Sequence, residues 1–229
     1  WIQPRFFQYH CTSVRRHRSG IGGWSWVKKT CILIFFYILQ ALPLRPEIYI
    51  SYTLNNSYGS KTVVGGAGFF LNDEMDDFSA KPGVPNLYGA VGGEANAISP
   101  GKRMLSSMTP TIVLQNAKPF LVVGTPGGTT IPTSVFQTIV DVIDFGLTTS
   151  KAVNAPKFHH QWLPDELDVE KTFPQNVRAA LEKMGYKIVE RSGIGRTEVI
   201  KVLPGGKFEA VADGRGDDGA EGYWSEVIS

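Results

Sequence analysis

The sequence predicts an α+β fold in stacked layers of sheet and helix. Strand-like segments come first, two helices follow, and strands return towards the end. Of the 229 residues, 42% are hydrophobic and 19% charged, the balance of an ordinary globular chain large enough to bury one core. This excludes a disordered chain, and neither an internal repeat nor a low-complexity tract occurs.

The elements follow from local patterns. Residues Ile48–Leu54 alternate as a strand, and Thr62–Leu71 is strand-prone around Gly65, Gly66 and Gly68. A long Pro/Gly loop spans Pro82–Gly93. Thr111–Leu114 and Pro119–Val123 flank Asn116-Ala117-Lys118, the pattern of a hairpin. Apolar residues at Val135, Phe136, Ile139, Val140 and Ile143 predict a helix over Thr133–Phe145, stopped by Gly146. Pro174 in the first turn and Gly185 just past Met184 bracket a second helix. Strands are expected at Lys187–Glu190, Glu198–Leu203 and Lys207–Ala212, with a turn at Pro204-Gly205-Gly206.

Residues 1–47 read as a separate leader and 48–229 as the domain. The first 50 residues hold seven basic residues against one acidic, leaving sixteen against twenty for the rest. Both cysteines, Cys11 and Cys31, and three of five tryptophans also fall there. A cysteine-free, mildly acidic body suits an oxidising compartment, and so a periplasmic, extracellular or outward-facing membrane-attached location. Basic residues followed by the short apolar run Cys31–Leu44 have the grammar of a secretory signal, and the run is short for a membrane span. Foreign sequence joined to a genuine domain is the competing reading, and the start on Trp1 reads as a missing true start. The leader is expected to be irregular or a detached helix that does not pack on the domain.

Chemistry concentrates in three polar blocks and a glycine turn. The first is Tyr52-Thr53-Leu54-Asn55-Asn56, the second Asn72 to Ser79, and the third Arg103 to Pro110. Glu74 and Asp77, with Asp73 and Asp76 nearby, could receive an ammonium group through charge-assisted hydrogen bonds, or could form a solvated acidic turn or a calcium loop. Ser106-Ser107 could cap a helix, form a turn or bind a carboxylate. Gly124-Thr125-Pro126-Gly127-Gly128 joins a strand to a helix, where free N–H groups suit an anion. It lacks the Gly-Lys-Ser/Thr ending of a phosphate loop, which leaves an oxyanion hole or a tight packing turn. His159-His160 lacks metal-ligand spacing and reads as structural, so no metal is expected. Arg215-Gly216-Asp217 spells an adhesion tripeptide by chance, within a segment that reads as a flexible turn.

These blocks, with Phe78 to Asn86 and Asn154 to Trp162, resemble the small, C-terminal subunit of the γ-glutamyltransferases (glutathione hydrolases) from about Ile48 to Tyr223. The resemblance implies the four-layer αββα sandwich of the N-terminal nucleophile hydrolases, shared between two subunits cut from one precursor. It implies that Asn55, Glu74 and Asp77 hold the amino group of a small γ-glutamyl substrate, and that Ser106 and Ser107 bind its α-carboxylate. Gly127 and Gly128 would hold the oxyanion, and Thr53 would hydrogen-bond the nucleophile. The partner would be the large subunit, which also supplies an arginine; no cofactor and no nucleic acid is implied.

The family's nucleophile is a threonine at the free start of the small subunit, with its own amino group as base. By the family's offset it stands roughly eighteen residues before Thr53, where this chain has Phe35. Thr30 and Cys31 lie further upstream and lack the motif. Two readings therefore stand: a piece of a γ-glutamyltransferase without its nucleophile, or a non-catalytic remnant keeping the glutamyl pocket. In either, Asn55, Asp77, Ser107 and Gly128 must converge on one cavity, since one head group has to touch them all.

Overall fold

The computed structural model describes the backbone of Phe35–Ile38 and of residues 48–222, with side chains from residue 51 onward. Two short strands, β1 (Phe35–Ile38) and β2 (Ile48–Ile50), pair antiparallel, with Phe35 opposite Ile50. This part of the leader is thus neither irregular nor a detached helix, because the β-branched and aromatic residues of both segments suit a ladder. Nor does this part stand apart from the domain, since its partner strand is the domain's first three residues; for the remaining leader, the expectation that it does not pack on the domain lies outside the described residues.

Residues 51–110 form a long loop region with two short 3-10 turns, Glu74–Asp77 and Glu94–Asn96. The expected strand over Ile48–Leu54 stops at Ile50. Beyond it the Thr53 hydroxyl accepts the Asn55 N–H at 2.8 Å, and Asn55 turns to a φ of 70°. A side chain that offers the backbone a local partner competes with the ladder, and here it wins. Thr62–Leu71 likewise makes a single bridge, Val63 to Phe70, because its glycines turn the chain back at once.

The hairpin is present: β3 (Thr111–Gln115) and β4 (Lys118–Gly124) are antiparallel. Asn116 and Ala117 both have positive φ, 53° and 60°, the primed turn that matches strand twist. Helix α1 (Ile131–Ile143) follows, then α2 (Thr149–Asn154), β5 (Phe158–His159) and β6 (Leu167–Glu170). Helix α3 (Gln175–Lys183) leads to β7 (Ile188–Arg191), β8 (Glu198–Val202) and β9 (Phe208–Val211). One sheet runs β3-β4-β8-β9, all antiparallel; the other runs β5-β6-β7, in which α3 carries the chain between the parallel strands β6 and β7.

The core lies between the four-stranded sheet and the helices α1 and α2. Leu121 and Val123 of β4 and Val199 of β8 pack with Ile131, Val135 and Val142 of α1 and with Ala152 and Val153 of α2. Burying each such side chain contributes about 2 kcal/mol, which fixes α1 against the end of β4. The buried face of α1 runs Ile131, Ser134, Val135, Thr138, Val142, and its other face leaves Phe136 and Ile143 exposed. What matters for the site is the junction: β4 ends at Gly124, α1 begins at Ile131, and the glycine turn lies between them.

Candidate functional site

A cavity of about 220 Å³ opens at that junction. Its lining includes Thr53, Asn55, Asp77, Ser106, Ser107, Gly127 and Gly128, brought from four separate segments of chain. Glu74 is the expected site residue that does not line it, but its carboxyl is hydrogen-bonded to that of Asp77, which does.

The four acidic residues of the second block divide by what they touch. Asp73 accepts the Asn56 N–H at 3.0 Å, while its own N–H donates to the Leu54 carbonyl. Asp76 accepts the Leu87 N–H at 3.2 Å. Both are loop clamps. Glu74 and Asp77 form a carboxyl pair, and burial with the mutual repulsion of neighbouring carboxylates pushes Glu74 up to about 7. Burial first, then Asp76, pushes Asp77 up as well. Two adjacent carboxyls so raised favour holding one proton between them at mildly acidic pH, and a ligand ammonium can take its place. Among the described residues no group of three or more His, Cys, Asp or Glu side chains is placed to hold a metal ion.

Asn55 is oriented by its Nδ2, which donates to the Asp73 carbonyl at 3.2 Å, leaving Oδ1 as the remaining acceptor. Thr53 Oγ1 is the acceptor for the Asn55 N–H, so the first block is tied to itself and to the second. Ser106 Oγ accepts the Met108 N–H at 3.2 Å, so the serine pair sits in a turn. Its hydroxyl proton is left to donate to a ligand.

Two residues that sequence reasoning missed hold the blocks together. Buried Asn96 donates to the Asp77 carbonyl at 2.7 Å and accepts the Leu105 N–H at 3.0 Å, joining the acidic turn to the serine segment. Tyr88, from the Pro/Gly loop, donates its hydroxyl to the Asn55 carbonyl at 2.8 Å. Its ring lies against Gly128, where an added Cβ would come within 2.5 Å of it. An aromatic residue in a glycine-rich loop was the available signal for Tyr88; Asn96 carried none.

His159 and His160 are held by neighbouring side chains. Buried His159 lies between Thr133 Oγ1 at 2.8 Å and Gln161 Oε1 at 2.9 Å, and His160 faces Asp165 at 3.2 Å. The Arg215 turn is not flexible as expected: its guanidinium is held by Glu170, Asp213 and the carbonyls of Val153 and Ala155. That anchoring withdraws the Arg215 guanidinium, 16% exposed, from the surface an adhesion receptor would read.

A γ-glutamyltranspeptidase family profile matches residues 48–223. The chain belongs to the γ-glutamyltranspeptidase family. It is 51% identical over 177 residues to the glutathione hydrolase proenzyme of Escherichia coli K12, covering 77% of this chain and 30% of that protein. A Helicobacter pylori γ-glutamyltranspeptidase mutant structure superposes with a TM-score of 0.72 at 56% identity, covering 74% of this chain and 93% of the solved one. The Pseudomonas nitroreducens γ-glutamyltranspeptidase complexed with L-DON gives 0.73 at 46% identity, covering 77% and 93%. The chain thus spans about 30% of the length of the Escherichia coli and Pseudomonas aeruginosa glutathione hydrolase proenzymes. Family membership agrees with what the polar blocks implied, and the α+β architecture with the order of strands and helices along the chain. No helix among the described residues is long and apolar enough to cross a membrane.

Proposed function

We propose that this chain is the small-subunit part of a γ-glutamyltransferase, an enzyme that moves the γ-glutamyl group of glutathione to water or an acceptor amino acid. The observation that carries this reading is the meeting of Asn55, Asp77, Ser106, Ser107, Gly127 and Gly128 around one cavity. In it the Glu74–Asp77 pair and Asn55 receive the α-ammonium group, and the serine hydroxyls receive the α-carboxylate. The N–H groups of Gly127 and Gly128 stabilise the negative charge of the tetrahedral intermediate. Thr53 hydrogen-bonds the hydroxyl of the attacking threonine. Acyl transfer by this route requires no cofactor.

The partner is the large subunit of the same precursor. The β3-β4-β8-β9 sheet and its helices are this chain's share of a four-layer sandwich. Exposed Phe136 and Ile143 are apolar surface of the kind that subunit would cover. The location is outside the cytoplasm, on the cysteine-free body.

Phe35 at the nucleophile's place favours a second reading for the chain as written, a glutamyl-binding module without chemistry. The two are separated by presenting the pure chain with L-glutamate in a calorimeter and with a chromogenic γ-glutamyl anilide in a spectrophotometer. Binding without turnover is expected. Turnover lost on Thr53→Ala would overturn the inactive assignment, and absence of glutamate binding would remove the pocket reading.

A further inference from the structure

The glycine turn is held from behind by two buried threonines. Thr125 is 1% exposed and Thr130 3%. The Thr125 hydroxyl accepts the Arg196 N–H at 2.7 Å, which directs its own proton to the Pro126 carbonyl, also at 2.7 Å. Thr130 places both its N–H, at 3.1 Å, and its hydroxyl, at 2.9 Å, on the Gly127 carbonyl. In a trans peptide the C=O and N–H point in opposite directions. Pinning the Pro126 carbonyl therefore aims the Gly127 N–H the other way, and pinning the Gly127 carbonyl does the same for the Gly128 N–H. Among the described residues no protein acceptor is found for either N–H, and both glycines line the cavity.

The backbone leaves no slack for another arrangement. Gly127 has a φ of 145° and Gly128 of 57°. A Cβ on Gly127 would come within 2.5 Å of Thr130 Oγ1, so the turn and its threonine are already in close contact. Gly195, next to Arg196, packs against the same turn, its Cα 3.5 Å from where that Cβ would sit.

We infer that Thr125 and Thr130 are positioning residues for anion binding, each locking one peptide plane so that two N–H donors meet the charged oxygen of a tetrahedral γ-group. This rests on the oxyanion role of Gly127 and Gly128 given above, and goes beyond it by assigning what orients them. Peptides free to rotate would average their N–H directions and pay to reorganise on each binding event; clamped ones do not.

The test compares two ligands on the chain itself by calorimetry. L-glutamine carries a planar, neutral γ-group, and 2-amino-4-phosphonobutyrate a tetrahedral, anionic one. The unaltered chain is expected to prefer the phosphonate. Thr130→Val is expected to cut that preference about tenfold, the range of a charge-assisted hydrogen bond, while glutamine affinity holds and Thr130→Ser restores the preference. Thr125→Val, compared with Thr125→Ser, is expected to behave alike. A preference that survives both valine substitutions overturns the clamp. Loss of glutamine binding in the valine variants also overturns it, by showing that the threonines only support the fold. An unaltered chain with no preference removes the oxyanion reading beneath it, which separates the two failures.

Discussion

Asn96 donates its side-chain amide to the backbone carbonyl of Asp77 at 2.7 Å, across 19 residues of loop. Its Oδ1 accepts the Leu105 N–H, so one buried amide spaces the Glu74–Asp77 turn from the serine pair. Asn96→Ala is expected to leave two polar backbone groups unpaired and to cost about 1–3 kcal/mol of stability. Glutamate affinity should fall further than the thermal midpoint alone explains, because the two halves of the head-group site lose their spacing. Calorimetric titration alongside thermal melting checks both.

The Glu74–Asp77 pair predicts proton release on binding. Glu74 is raised to about 7, so between ordinary carboxylate values and pH 7 the empty pair holds a proton. An incoming ammonium group favours the doubly ionised pair and expels it. Glutamate binding near pH 6 should therefore release up to one proton, seen as a binding heat that depends on the buffer's ionisation enthalpy. Release should fade above pH 8 and vanish in Glu74→Gln. A heat independent of buffer at pH 6 would count against the shared proton.

Stability should fall as pH rises through the same window. Burial and the neighbouring Asp218 carboxylate push Glu198 up to about 7. A carboxyl whose folded pKa lies above its unfolded value is favoured protonated in the fold. Its contribution is therefore full below about pH 4.5 and lost as pH rises towards 7. Glu198→Gln mimics the protonated form and should raise the melting temperature at pH 8 while changing it little at pH 5. Equal effects at both pH values would rule out the titration.

Arg215 anchors the end of the domain. It bridges Glu170 and Asp213, both buried, and caps two carbonyls near the end of α2. Arg215→Ala would leave those carboxylates only Lys157 as a neighbouring positive charge, with an expected loss of about 3 kcal/mol. Arg215→Lys should recover only part, since an ammonium group cannot match the planar fork. Chemical denaturation of the three proteins decides it.

Gly128→Ala should be strongly destabilising for a reason outside its own turn. The new methyl meets the Tyr88 ring, and the φ of 57° adds strain. Tyr88→Ala in the same chain is expected to relieve the clash but not the strain, so the double variant should be more stable than the sum of the single losses predicts.

The sequence alone determined the elements whose signals are local. The Asn116-Ala117 hairpin, α1 and α3 were legible because turn chemistry and helical periodicity act within a few residues. Helix α2 was missed: at six residues it is too short to show a period, although Thr148 caps it. Most of the cavity lining was also legible, since blocks of hydroxyl, amide, carboxylate and glycine residues stand out in the chain. Only the tertiary structure decided which of those residues act together. Four acidic residues within five positions look alike in sequence, yet Asp73 and Asp76 are committed to distant N–H groups and Glu74 and Asp77 are not. Asn96 and Tyr88 owe their roles to partners 9 to 33 residues away. Loops without a repeating backbone pattern are shaped by such non-local hydrogen bonds, and these leave no period in the sequence to read.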